Sequence, residues 1–182
     1  VHELYLDLCS IGTAALFIEE GNRGFDQDLI HFSALHINEY YIKENVDGYI
    51  DTLFRKYKLT GRQAIQEFGE DNLGPKVVEG AKQSPDKQFE FIHALEPTED
   101  YERLFGPAQT RLPIHSCHMC VEDKMIVRVS GYNEFPYLVP RWSKATGEIY
   151  GRSPSFNALP IASPVSFSPL SEIPLITPLS LA

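Results

Sequence analysis

Apolar and polar residues alternate at β-strand period along much of the chain, and a few stretches at helical spacing interrupt them. Leu4, Leu8 and Ile11 fall on one helical face with Tyr5 beside them, which predicts the end of a helix over Val1–Ile11. Gly12–Thr13 break it, and Ala14–Ile18 predicts a strand running into Glu19–Glu20. Gly21–Gly24 has the composition of a turn. Leu29–Ile37 and Glu39–Val46 come next as β-rich runs separated by Asn38, and Asp47–Gly48 then predicts a hairpin with a type I′ turn leading into Tyr49–Tyr57. The mixed faces of that second arm predict partial cover on both sides.

Thr60 and Gln63 have the spacing of a capping box, which starts a short helix through Phe68 that Gly69 can end. A second short helix is expected after Pro75, with Val77, Val78 and Ala81 inward, stopping before Ser84–Pro85. Gln88–Leu95 reads as a strand with Phe89, Phe91 and His93 on one side. From Leu112 to Ser130 the pattern is β again, turning at Glu122–Asp123–Lys124, with Gly131 expected to end the run. The pattern is lost from Ile161 onward. Ile161–Ala182 holds one charged residue, Glu172, with four prolines and five serines among Leu, Ile and Val, and prolines that dense forbid a regular helix or central strand.

The chain has 182 residues, 43% of them hydrophobic and 23% charged, so it can pack a core without a metal or disulfide staple. Its 25 acidic against 16 basic residues give a net charge of −9. That balance argues against tight wrapping of nucleic acid, where affinity comes from neutralising phosphates; if DNA is involved, a surface that lets it pass fits better. Cys9, Cys117 and Cys120 form an odd set without disulfide-rich spacing, which predicts reduced thiols. No basic stretch followed by an apolar run opens the chain, and no segment is long and apolar enough for a membrane-spanning helix.

The densest chemistry-bearing cluster is His115-Ser116-Cys117-His118-Met119-Cys120. Zinc takes such His and Cys ligands, and a Cys–His pair can serve a thiol nucleophile. A strand, however, sends His115, Cys117 and Met119 to one face and His118 and Cys120 to the other. Ordinary strand packing is therefore the expectation, with a small zinc- or thiol-dependent enzyme centred on His115–Cys120 as the alternative. Glu19–Glu20, Glu70–Asp71, Glu99–Asp100 and Glu122–Asp123 fall at turns or element ends and read as solvated surface. The chain carries no G-x-x-x-x-G-K-[ST] phosphate loop.

The stretch from Gly131 to Pro160 carries a resemblance. Gly131-Tyr132-Asn133-Glu134-Phe135-Pro136, then Arg141-Trp142, then Gly147-Glu148-Ile149-Tyr150-Gly151-Arg152-Ser153-Pro154 and Ala158-Leu159-Pro160 are similar to the G-Y-x-E-F-P, R-W, G-E-x-Y-G-R-[GS]-P and A-L-P runs of the head-to-tail connecting (portal) proteins of short-tailed phages, the podoviruses. Gly12-Thr13 before the first strand, Asn45 to Arg55 and Leu59 to Gln63 resemble the family's upstream motifs in the same order. The resemblance implies an α+β fold of antiparallel hairpins and short helices, a wing-like region over 1–160 without the complete stem. It implies no enzyme and no cofactor, but a subunit of a dodecameric ring at a capsid vertex. Terminase, tail adaptor proteins, capsid and scaffolding proteins and transiting double-stranded DNA would be its partners, with no membrane. The location would be the virion, after assembly in the host cytoplasm.

The family pattern continues past A-L-P with Asp and a long charged helix, where this chain has the Ser/Pro/Leu tail of 161–182. Both ends are therefore expected to be incomplete, with a frame change or truncation near Pro160. Arg141, Trp142, Glu148, Tyr150 and Arg152 are the candidate subunit-interface or scaffold residues, since Trp, Tyr and Arg are the types that dominate interfaces. An internal role stays open beside that one, with Trp142 as a core anchor and Glu148–Arg152 as a surface ion pair. If the frame expectation holds, the encoding DNA read in another frame beyond Pro160 contains a charged, family-like helix; its absence from both other frames refutes it.

Overall fold

Strict alternation on one strand organises the fold. In β5 (Gln88–Pro97), Phe89, Phe91, His93 and Leu95 are buried and the residues between them are less so. The computed structural model describes residues 2–20 and 30–162, in which helices and two antiparallel sheets mix as an α+β fold. The larger sheet runs β3 (Tyr40–Glu44), β4 (Ile50–Thr60), β5, β6 (Ile114–Cys120) and β7 (Met125–Tyr132) in simple sequence order. The smaller places β1 (Ala15–Glu20) between β2 (Ile30–Leu35) and the two-residue β8 (Tyr137–Leu138).

Register turns the alternation of β5 into rows across the sheet. Leu53, Leu95 and Ser116 stand in one row, Arg55, His93, His118 and Arg128 in the next, and Tyr57, Phe91 and Cys120 in the third. The smaller sheet covers the first row: Phe17, Leu35 and Tyr137 pack with Leu53 and Leu95. Helices α2 (Gly61–Phe68) and α3 (Pro75–Gln83) cover the third, where Ala64, Phe68 and Val77 meet Phe89, Phe91 and Cys120. Between the pairs His118–Arg128 and Met119–Ile126 the register slips, leaving Val127 as the extra residue of a bulge that is buried in this second cluster.

Local signals explain the helices. Thr60 accepts from the Gln63 N–H while Gln63 Oε1 accepts from the Thr60 N–H at 2.9 Å, the expected capping box, and Gly69 closes the helix. Pro75 opens α3, whose N-terminal N–H groups of Lys76 and Val77 donate to the carboxylate of Asp123 at 3.3 Å each. Glu122 accepts from the Glu90 N–H at 2.8 Å. Glu122–Asp123 is thus an internal tie holding the β6–β7 turn to α3, and the solvated reading of that pair is corrected, because a carboxylate at a helix N-terminus meets unpaired N–H groups and the positive end of the dipole.

The hairpin of Asp47–Gly48 forms, but its turn is not type I′. Of the two residues only Gly48 has positive φ, at 82°. The Asn45 side-chain oxygen accepts from the N–H groups of Asp47 and Tyr49 at 3.0 and 2.9 Å, so a longer loop closes with a single left-handed residue. Gly131 does not end its strand. It lies within β7 opposite His115, and Thr110 and Leu112 cross so near that a Cβ would crowd them. Helix α4 (Thr98–Phe105) has no counterpart among the elements predicted from periodicity. It buries none of its own residues, and its first turn carries Glu99 and Asp100. A last helix, α5 (Pro154–Ala162), passes Pro160 and includes the first two residues of the stretch expected to exclude helix, since one proline removes one helical bond without ending the last turn. The expected turn at 21–24 and the tail from 163 lie outside the described residues.

Phe91 has no exposed surface and touches both Tyr57 and Phe68 rings. Phe91→Ala is expected to cost about 3–5 kcal/mol in urea unfolding. Tyr41→Ala, at a residue 67% exposed, is expected to change stability by about 0.5 kcal/mol or less.

Candidate subunit-interface and scaffold site

The candidate residues sit where a late segment of the chain is tied to its beginning. After β8 the backbone runs beside the start of β1: the Ala14 N–H donates to Pro140 O at 3.2 Å and the Trp142 N–H to Gly12 O at 2.9 Å. Thr13 bridges Arg141, and its hydroxyl accepts from the Gly151 N–H at 2.7 Å. Gly12 has φ +95°, and a Cβ on it would run into the backbone of Gly151–Ser153; a Cβ on Gly151 would meet Gly12 O and Arg141. The two glycines let three backbone strands approach within the space of one side chain. Ser153 caps α5 by accepting from the Phe156 N–H at 2.9 Å, and the Ser155 hydroxyl donates to Cys9 O, fastening α5 to α1 (His2–Ser10).

Arg141 is the centre of this tie. Its guanidinium donates to the Glu44 carboxylate, to Gly48 O at 2.8 Å and to Ile149 O at 3.2 Å, so one side chain holds the β3–β4 hairpin at both shoulders and the 145–152 loop besides. Lys144 bonds the other oxygen of Glu44. That bond, with Arg141 next, holds the Glu44 carboxyl below the usual carboxylate range. Tyr150 reaches the same hairpin from the other side, its hydroxyl accepting from the Ile42 N–H at 3.4 Å.

The other candidates face outward. Glu148 and Arg152 form a bidentate pair at 2.6 and 2.9 Å on exposed surface, and Arg152 lies over the Phe156 ring. Trp142 is 53% exposed. It is therefore not a core anchor, because its backbone is held by Gly12 while its ring is directed away from the packed rows. Ile11, Ile149, Tyr150, Arg152 and Phe156 surround an open hollow of about 400 Å³. The structure thus unites Arg141, Tyr150 and the Glu148–Arg152 pair around one loop, and leaves Trp142 beside them on the surface.

Glu44, Lys144, Thr13 and Gly12 complete the site; Glu44 and Lys144 are not singled out by the sequence, where Gly12–Thr13 read as a helix break and an upstream motif but not as part of the site. Arg141 and Glu44 are 97 residues apart, and no local pattern pairs them. Gly12–Thr13 did carry a signal, since the pair stands at a break that a glycine with positive φ occupies.

The His115–Cys120 cluster is split as the strand period requires. His115 is buried on one face, stacked on Tyr101 of α4 at 3.8 Å, while His118 stacks on His93 at 3.9 Å and Cys120 lies in the core on the other face. Burial raises the thiol pKa of both Cys117 and Cys120, which disfavours the thiolate that metal binding or nucleophilic attack would use. Among the described residues no three His, Cys, Asp or Glu side chains are grouped to hold a metal ion.

Comparison with known proteins points to the same family as the Gly131–Pro160 motifs. The family model described as bacteriophage head to tail connecting protein matches residues 1–164. A "Probable portal protein" of Bordetella phage BPP-1 is 31% identical over 162 residues, covering 87% of this chain and 28% of the relative. A "Portal protein" of Salmonella phage epsilon15 is 30% identical over 154 residues, covering 82% and 27%. The chain spans little more than a quarter of the length of these relatives.

Arg141→Ala removes the shared donor of the hairpin and the loop. Amide exchange of residues 44–50 is expected to speed up by about tenfold or more, with the β5–β6 amides unchanged. Equal exchange in wild type and variant contradicts the clamp.

Proposed function

We propose that this chain, which belongs to the bacteriophage head to tail connecting protein family, is the wing-like part of a structural subunit of a phage portal ring at the capsid vertex. The observation that carries this reading is the family match over residues 1–164. It coincides with a built tie, in which the G-E-x-Y-G-R segment is locked to the chain's beginning through Gly12, Thr13 and Gly151. In the proposed ring the work is mechanical. The subunit forms part of the channel for double-stranded DNA during packaging and ejection, and the complete protein docks terminase, then tail adaptor proteins, among capsid and scaffolding partners. The ring is a dodecamer in this reading, assembled in the host cytoplasm and retained in the virion.

The charge balance supports a conduit. A net charge of −9 gives DNA no broad attraction to resist, and sliding requires weak phosphate contacts. The division of labour at the candidate site supports a scaffold with one outward anchor. Arg141 and Tyr150 stiffen the hairpin and loop, while the exposed Trp142 presents an aromatic surface to a neighbouring subunit. No helix among the described residues is long and apolar enough to cross a membrane.

Electron microscopy of the full-length protein is expected to show closed rings, and persistent monomers overturn the proposal. The 182-residue chain alone is expected to sediment without a discrete large oligomer. In the full-length ring, Trp142→Ala is expected to weaken subunit association by about 2 kcal/mol or more, read as a lower ring yield at equal concentration; an unchanged yield removes Trp142 from the interface.

A further inference from the structure

The row Arg55–His93–His118–Arg128 crosses four strands on the covered face of the larger sheet, with four basic side chains side by side. The two imidazoles stack at 3.9 Å. His93 is hydrogen-bonded to the Tyr137 hydroxyl at 3.2 Å and to Ser116 Oγ at 2.9 Å, and His118 to the Tyr57 hydroxyl at 3.1 Å. No carboxylate bonds either ring among the described residues. The stack also lies between the two cores: Phe17 and Tyr137 of the smaller sheet pack on His93, and Phe68 of α2 packs on His118.

We propose that this histidine stack is an acid-operated seam, whose protonation parts the smaller sheet from the α2-covered half of the larger sheet while the strand ladders of the larger sheet persist. Every element around the stack contributes to its charge balance. Arg55 and Tyr57 face it from β4, Ser116 from β6, Arg128 from β7 and Tyr137 from β8, while Glu67 of α2 and Glu19 of β1, with His31 of β2 and Tyr132 nearby, stand around the two arginines. Glu39 pairs Arg55 at 3.3 Å and Glu67 pairs Arg128 at 2.8 Å, so these two carboxylates are committed to the arginines, while Glu19 lies near both arginines and bonds neither ring. A proton added to the stack therefore meets cations on both flanks and a second imidazole in van der Waals contact.

The burial sets the direction of the pH effect. Burial, reinforced by Arg128 and Arg55, lowers His118 to about 4, and burial with the His118 charge beside it lowers His93 further. The closed seam therefore binds protons more weakly than the opened one. Its stability is complete above the ordinary histidine range near pH ~6.5 and falls as pH drops toward about 4. Glu19 works in the opposite sense, because burial raises its carboxyl and protonation relieves that burial. The same protonation removes an anion from beside Arg55 and Arg128, and two depressed histidines outweigh one raised carboxyl.

Hydrogen exchange of the 182-residue chain between pH 7 and 4, corrected for intrinsic exchange rates, tests the seam. Two coupled protons are expected to lower protection of the β1 and β8 amides by up to about a hundredfold per pH unit, while the β4–β6 amides remain protected. In His118→Phe, which keeps an aromatic ring against Phe68, the dependence is expected to fall to about tenfold per unit. Equal steepness in wild type and variant overturns the proposal, as does simultaneous loss of protection in both sheets. Should the variant not fold, NMR titration of the wild-type imidazoles decides the matter. Rings that stay neutral until β1 protection is lost support the seam; rings that titrate near pH ~6.5 with β1 still protected refute it.

Discussion

The antiparallel register of β5 against β4 and β6 is the constraint on which the remaining structure depends. With Leu95 opposite Leu53, and Phe91 opposite Tyr57 and Cys120, the apolar residues gather into two separate patches on one face, and the polar row of His93 falls between them. A one-residue slip would turn all of them to the other face. The two patches then call for two different covers. The smaller sheet supplies Phe17 and Tyr137 to one, and α2 supplies Phe68 to the other. The fold is in this sense two cores on one sheet, joined across a row of basic side chains that neither core can absorb as charges.

The second constraint is closure of the chain on itself. β1 is a central strand of the smaller sheet, paired on one side by β2 and on the other by the short β8. Beyond β8 the backbone does not turn away from the sheet but continues along the start of β1, held by Ala14, Gly12 and Thr13. Arg141 extends that contact to the β3–β4 hairpin of the larger sheet. The smaller sheet, the 141–152 loop and the hairpin are consequently one mechanical unit. Trp142 stands on a support braced from three directions, the rigid base that the proposed interface role calls for.

Much of this was legible in local chemistry. The alternation of Phe89, Phe91 and His93, the Thr60–Gln63 box and the Pro75 helix start each state their structure within a few residues, because period and capping are local. The hairpin at Asp47–Gly48 was legible in position but not in turn type, since Asn45 two residues upstream supplied the bonds that decided it. Helix α4 was not read from the sequence although Tyr101, Leu104 and Phe105 fall at helical spacing, because it is short and buries none of its own residues; the acidic first turn and Gly106 after it were further signals. The Arg141–Glu44 clamp and the Asp123 cap on α3 join residues 97 and 46 positions apart, and such pairs are set by topology. For the candidate site, residue type and motif picked out residues that the structure gathers around one loop. They did not distinguish Arg141, which turns inward to brace it, from Trp142, which turns outward.

The same distinction decides how the His115–Cys120 strand should be read. Its residue types favour a metal or a thiol nucleophile, yet chemistry of either kind needs the groups on one side of the backbone with a path to solvent. The strand instead spends them on two packing problems. His115 slides under Tyr101 beneath α4, while His118 and Cys120 turn to the opposite face, one completing the polar row and the other filling the core. Burial then raises the thiols, which disfavours the thiolate that metal binding or nucleophilic attack would use, and it lowers His118, so that ring packs as a neutral group. A cluster that looks reactive as a string of letters becomes packing material once its alternate residues are assigned to opposite faces. The Trp142 ring and the bidentate Glu148–Arg152 pair remain facing outward, and these suit the proposed work of holding neighbouring subunits in place.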